Sequence, residues 1–167
     1  MDDSTAIEAM FAHRVGDPRE WYKRARALIS AARASEERAA EQLDPFEAME
    51  MHRVTSMLYG LALEGLFKAL IVLQRHGDPT DSEWCPEARF PKELGTHDLL
   101  KLGGMVDAKL PAEFGWELTY FTDAVVWMGR YPCSKSGEEG SIFVDSRAFA
   151  KAEAIYKQYS RRFSLSG

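Results

Sequence analysis

Apolar positions recur every three to four residues along most of this chain, the signature of amphipathic helices. Trp21/Tyr22, Ala25, Leu28/Ile29, Ala32, Ala39/Ala40 and Leu43 form the first long stripe. Asp17-Pro18 opens it, with an acid to cap free amides and a proline at the first helical position. Asp44-Pro45 repeats that signal directly after the stripe ends, so the next helix folds back antiparallel through a short connection. It runs from about Pro45 to His76 and stops at Gly77. Its centre, Met57 to Leu73, is apolar nearly all round, which predicts a central helix with neighbours on every side. Gly60 and Gly65 each cost about 1 kcal/mol of helix propensity, and their expected role is close approach by neighbouring helices.

A stretch from Gly77 to Thr96, carrying Pro79, Pro86, Pro91 and Gly95, reads as a long loop; loops of that length are uncommon and often functional. A third helix is predicted from the cap Thr96 to about Ala108, with Gly103-Gly104 as a bend. A fourth runs from Pro111 to Arg130 and ends before Pro132. Phe114, Leu118, Phe121, Val125 and Met128 make its core stripe, and Trp116, Tyr120 and Trp127 a second, aromatic one. The Gly- and Ser-rich loop 131–144 holds a short extended piece at Ser141–Val144. The last helix follows the cap Asp145, with Phe149, Ala152, Tyr156, Tyr159 and Phe163 as its stripe. Residues 1–16 form a short helix or fray. The expected fold is one all-α domain over 1–167, an antiparallel up-down bundle of about five helices. A helix with two apolar faces is either fully buried or docks a second copy in a homodimer.

Composition adds bounds but no chemistry. With 167 residues, 46% hydrophobic and 28% charged, the chain suits one globular domain and excludes collagen-like and low-complexity classes. The formal charge of −5 excludes a wholly basic nucleic-acid coat. The charge is uneven, however. Arg19 to Gln42 holds six bases against four acids and Asp145 to Gly167 five against two, while Pro45 to Val144 holds nine against fifteen. If the two basic helices adjoin, Arg19, Lys23, Arg24, Arg26, Lys157, Arg161 and Arg162 make a nucleic-acid face; otherwise they are ordinary solvated helix faces. The start Met1-Asp2-Asp3 lacks a basic leader. The strictly apolar stretch Ala69 to Leu73 falls far short of the roughly 18 residues that cross a bilayer. A cytoplasmic chain with free Cys85 and Cys133 and no membrane partner is expected.

Candidate chemistry gathers where an up-down bundle brings helix ends together. His76, His97-Asp98 and Arg130-Tyr131 should share one pole, with both long loops. Glu64 and Lys68 are the only charges between Met57 and Leu73, and Lys68 lies about 12 Å below that pole. They form either a plain i,i+4 pair, contributing about 0.3–0.5 kcal/mol, or one of them faces a polar cleft opening to the pole. Asp98 and Arg130 either complement helix ends or belong to an anion pocket. In that pocket Arg130 grips a phosphate, and His97 and Tyr131 supply hydrogen bonds or stacking. The candidate ligand-binding set is therefore Glu64, Lys68, His97, Asp98, Arg130 and Tyr131. His76, Cys85, His97 and Cys133 lack zinc-ligand spacing, so no metal is expected. The Cys133-Ser134-Lys135-Ser136-Gly137 loop is not a Walker loop, Gly137-Glu138-Glu139-Gly140 is too acidic to cradle phosphate unaided, and no dinucleotide fingerprint is present. No cofactor is expected.

Three segments carry a family resemblance. Tyr59-Gly60-Leu61-Ala62-Leu63-Glu64-Gly65-Leu66-Phe67-Lys68-Ala69-Leu70 resembles the second helix of HEPN domains (higher eukaryotes and prokaryotes nucleotide-binding), as does the following His97-Asp98-Leu99-Leu100-Lys101-Leu102. Gly129-Arg130-Tyr131-Pro132 resembles the turn of the subgroup that accompanies small nucleotidyltransferases. The resemblance covers about Pro45 to Pro132 in the right order. It implies a bundle of four to five helices, frequent dimerisation, a nucleotidyltransferase-like partner, and roles in toxin–antitoxin, defence and RNA-processing systems. Ribonuclease members carry Arg, four to six residues, then His. None of His13, His52, His76 and His97 has an Arg at that distance before it; Lys92 stands there before His97. The resemblance thus points to the non-catalytic branch, binding a nucleotide, RNA or partner protein. The alternatives are a divergent metal-independent ribonuclease, with His97 as acid/base and Arg130 or Lys92 on the phosphate, and a protein–protein adaptor or antitoxin.

Overall fold

A computed structural model describes residues 3–134 and 144–164. Its elements are α1 (Asp3–Gly16), α2 (Pro18–Ala40), α3 (Pro45–His76), a 3-10 turn (Lys92–Gly95), α4 (Leu99–Val106), α5 (Leu110–Asp123) and α6 (Arg147–Ser164). A π-helical turn, Ala124–Met128, prolongs α5. The fold is an all-α bundle, and no strand occurs among the described residues. It has six helices rather than five because the residues before Val15 form α1. Of the expected extended piece at Ser141–Val144, only Val144 lies within the described residues. Lys135 and the Gly137–Gly140 acidic run lie outside them.

The helix starts follow their caps. Asp17 accepts the Arg19 amide at 2.8 Å and Asp44 the Phe46 amide at 2.8 Å. Gly77 ends α3 with φ at +77°, a conformation that favours glycine. The third expected helix starts later than its sequence suggests. Asp98, a stronger cap than Thr96, takes the Lys101 amide at 3.0 Å, while Thr96 accepts the Asp98 amide.

The α3 helix is the axis of the bundle. Leu63, Leu66, Phe67 and Leu70 are wholly buried. By length and composition alone α3 could cross a membrane, but 72% of its most apolar window is buried inside the bundle. The α2 helix lies antiparallel along it, from Ala25 beside Gly65 to the Ser35–Thr55 hydroxyl pair at 2.8 Å. On another face α5 approaches Gly60 so closely that a Cβ there would stand 2.8 Å from the Phe121 carbonyl. Both glycines thus mark helix contacts, as their cost in propensity predicted.

The 77–96 loop turns back over α3 instead of capping its end. Arg75 pairs with Glu87 and Glu93, and Leu94 inserts with 1% of its surface exposed. The chain therefore begins α4 beside the middle of α3 and runs in the same sense as α3. His97 meets Glu64 at the start, and the Gln74 amide donates to the Val106 carbonyl at the end. Helix α6 packs on α3 through Phe149, stacked 5.1 Å from Tyr59. It is tied to α2 by a bidentate Arg33–Glu153 pair at 2.7 and 2.8 Å.

Candidate functional site

The structure brings half of the expected pole residues together. Glu64 and Lys68 form the i,i+4 pair at 2.5 Å, and both are buried. The other Glu64 oxygen accepts from His97 Nδ1 at 2.9 Å. A buried charge must find partners, and here each carboxylate oxygen has one. The His97 side chain is 51% exposed, so its ring joins this buried pair to the surface. The helical ion pair exists, and His97 adds a third polar group to it.

The remaining three residues stand elsewhere. Asp98 is exposed and occupied as the α4 cap. Arg130 and Tyr131 follow Gly129, where a Cβ would meet Met57 at 2.4 Å. Met57 precedes Glu64 by two helical turns, about 10 Å along the axis, and precedes His76 by far more. Arg130 is exposed and its guanidinium has no partner among the described residues, so it does not pair with Asp98. The single pole fails because the returning 77–96 loop starts α4 beside Glu64 instead of beside His76. Among the described residues no three His, Cys, Asp or Glu side chains gather as a metal site.

The two basic helices do adjoin. Tyr22 of α2 stacks on Phe163 of α6 with ring centroids 4.3 Å apart and planes 13° from parallel. Around that pair is a groove of about 260 Å³, lined by Arg19, Lys23 and Arg26 from one side and Arg162 from the other. Arg19 is tied to Asp78 at 2.8 Å, and Lys23 to Glu20 at 2.5 Å. Arg26 and Arg162 form no ion pair among the described residues, although Arg162 is near enough to Asp107 to help lower that carboxyl. Two committed cations thus frame two uncommitted ones beside an aromatic floor. The Asp78 carboxyl is held below the usual range by the Thr80 hydroxyl and amide, then by Arg19, so it stays charged and keeps Arg19 in place. Arg24 departs from the set and lines a separate cleft with Arg14 and Trp21. Lys157 and Arg161 lie exposed on α6.

The aromatic stripe of α5 divides. Tyr120 is buried with its hydroxyl 2.7 Å from that of Ser56, and Trp127 is half-buried against the core. Trp116 alone is exposed, at 58%. Fold and site together define a helical bundle bearing a cation-lined, aromatic-floored groove. No family model, curated protein or solved structure matches the chain. The sequence grouped His97 with Glu64 without specifying their contact, and it did not indicate the stacking of Tyr22 on Phe163. Tyr22 and Phe163 each stood on an apolar stripe next to basic residues, which was the available signal.

Proposed function

We propose that this chain is a HEPN-like helical binding module that holds the phosphate backbone of an RNA or nucleotide in the groove between α2 and α6, without covalent chemistry of its own. The observation that carries this reading is the meeting of Arg26 and Arg162, from opposite ends of the chain, uncommitted beside the stacked Tyr22–Phe163 pair. Guanidinium groups match phosphate in a bidentate way that ammonium groups do not. An aromatic floor between them accommodates sugar or base. The cellular setting that goes with the resemblance is a cytoplasmic toxin–antitoxin, defence or stress system, with a nucleotidyltransferase-like partner or a second copy of the chain. The test is fluorescence anisotropy with a labelled RNA. Arg26→Glu and Arg162→Glu should each weaken binding at least tenfold; equal binding by both variants overturns the assignment of the groove.

One observation favours a second reading, a divergent ribonuclease. Glu64 fixes the His97 ring through Nδ1 and so leaves the other nitrogen available at the surface, the arrangement a general acid or base needs. Cleavage of RNA by purified protein that disappears in His97→Ala would establish it, and absence of cleavage would remove it.

A further inference from the structure

We infer that the nucleic acid held by this module is single-stranded, and that one of its bases stacks on Trp116 in a second subsite at the N-terminal end of α6; the inference rests on the groove proposed above. The indole of Trp116 is 58% exposed, which leaves a large aromatic face open to a ligand. It is also held in position. Its ring stacks on Tyr120 with centroids 5.5 Å apart and planes 12° from parallel, and Tyr120 is anchored to Ser56 in the core. One face of the indole is thereby backed and the side chain prearranged, so little rotamer freedom is lost on binding.

The surroundings select a base rather than a phosphate. Trp116 lines a cleft of about 500 Å³ with Glu117, Asp145, Arg147 and Lys151. Glu117 has no partner among the described residues, so its carboxylate repels a phosphate at the indole but can accept a hydrogen bond from a base edge. Lys151 lies 6.0 Å above the Phe114 ring and Arg147 is fixed by Asp145 at 2.8 Å, so the cations stand at the α6 rim. Between Arg147 and Arg162, α6 exposes Lys151, Lys157 and Arg161 to solvent. Its one acid in that span, Glu153, is taken by Arg33. A cationic track about 22 Å long therefore joins the Tyr22–Phe163 groove to the Trp116 platform. Backbone on cations and bases on aromatic faces is the physics of single-strand binding; paired bases inside a duplex cannot reach a side-chain face.

The test measures anisotropy of a labelled RNA of about eight nucleotides, within the usual span of single-strand sites. It uses the single strand, its blunt duplex and an abasic strand of equal length. Wild-type protein should bind the single strand more tightly than the duplex. Trp116→Ala should weaken the single strand about 5- to 150-fold, leave the abasic strand unchanged, and keep the cooperative unfolding transition of the wild type. Trp116→Phe should recover part of the loss. Arg162→Glu should weaken single and abasic strands alike. If Arg162→Glu weakens binding and Trp116→Ala does not, or if the duplex binds as tightly as the single strand, the Trp116 subsite is overturned and the groove stands. If wild-type protein binds none of the three, the groove falls and the subsite with it.

Discussion

Replacing Lys68 by methionine tests the buried charge pair on α3. Methionine keeps the length and the apolar stem but removes the ammonium group. The Glu64 and Lys68 side chains are 9% and 8% exposed, and their charged atoms lie 2.5 Å apart. The variant leaves one carboxylate oxygen buried with no donor, while the other keeps His97. Breaking a buried pair costs about 3–5 kcal/mol. The retained His97 bond places this case at the low end, about 3 kcal/mol. For a chain of this size 1 kcal/mol moves the melting temperature by about 2–4 °C, so Lys68→Met should melt about 6–12 °C below wild type. The double variant Glu64→Gln/Lys68→Met removes the orphaned charge and keeps an acceptor for His97. Hydrophobic replacement of a buried pair is often without cost, but the new amide group keeps one donor side unpaired, so it should recover part of the loss. Thermal and urea unfolding followed by circular dichroism read both. A single variant within about 1 °C of wild type, or a double variant less stable than the single, refutes the reasoning.

Other expectations follow from particular contacts. Gly60→Ala gains about 1 kcal/mol of helix propensity, but its methyl would stand 2.6 Å from Val125 and 2.8 Å from the Phe121 carbonyl. Overpacking typically costs about 1–3 kcal/mol, so urea titration should show net destabilisation. The Asp107 carboxyl is lowered, first by the Lys109 amide and then by the Tyr159 hydroxyl. Its contribution is present above the unfolded pKa and lost as pH falls through the folded value. Asp107→Asn should therefore reduce the acid-side fall in stability, and unfolding curves between roughly pH 2 and 5 measure it.

The parts of the fold legible in the sequence were those set by local rules. Asp17-Pro18, Asp44-Pro45 and Gly77 fixed helix ends through capping chemistry, and the apolar run from Met57 to Leu73 identified the central helix. Gly60 and Gly65 were legible as contact points because a glycine inside a helix needs a reason. The direction of α4 was not legible, since it depends on the 77–96 loop folding back through Arg75, Glu93 and Leu94, contacts between residues far apart in sequence. The same long-range fact moved His97 away from His76 and onto Glu64, and separated it from Arg130. The basic groove was legible as two charged helices but not as a site. Whether Arg26 and Arg162 meet depends on the packing of Tyr22 against Phe163.

The salt dependence of RNA binding tests the groove most directly. Each phosphate contact on a single strand contributes about −0.7 to the slope of log K against log salt. The two groove cations free of an ion pair, Arg26 and Arg162, together contribute about −1.4 to that slope in the wild type. The account predicts that neutralising Arg26 and Arg162 together, as Arg26→Gln/Arg162→Gln, makes that slope shallower by about 1.4 and weakens binding. An unchanged slope in the double variant, with affinity intact, would contradict the account.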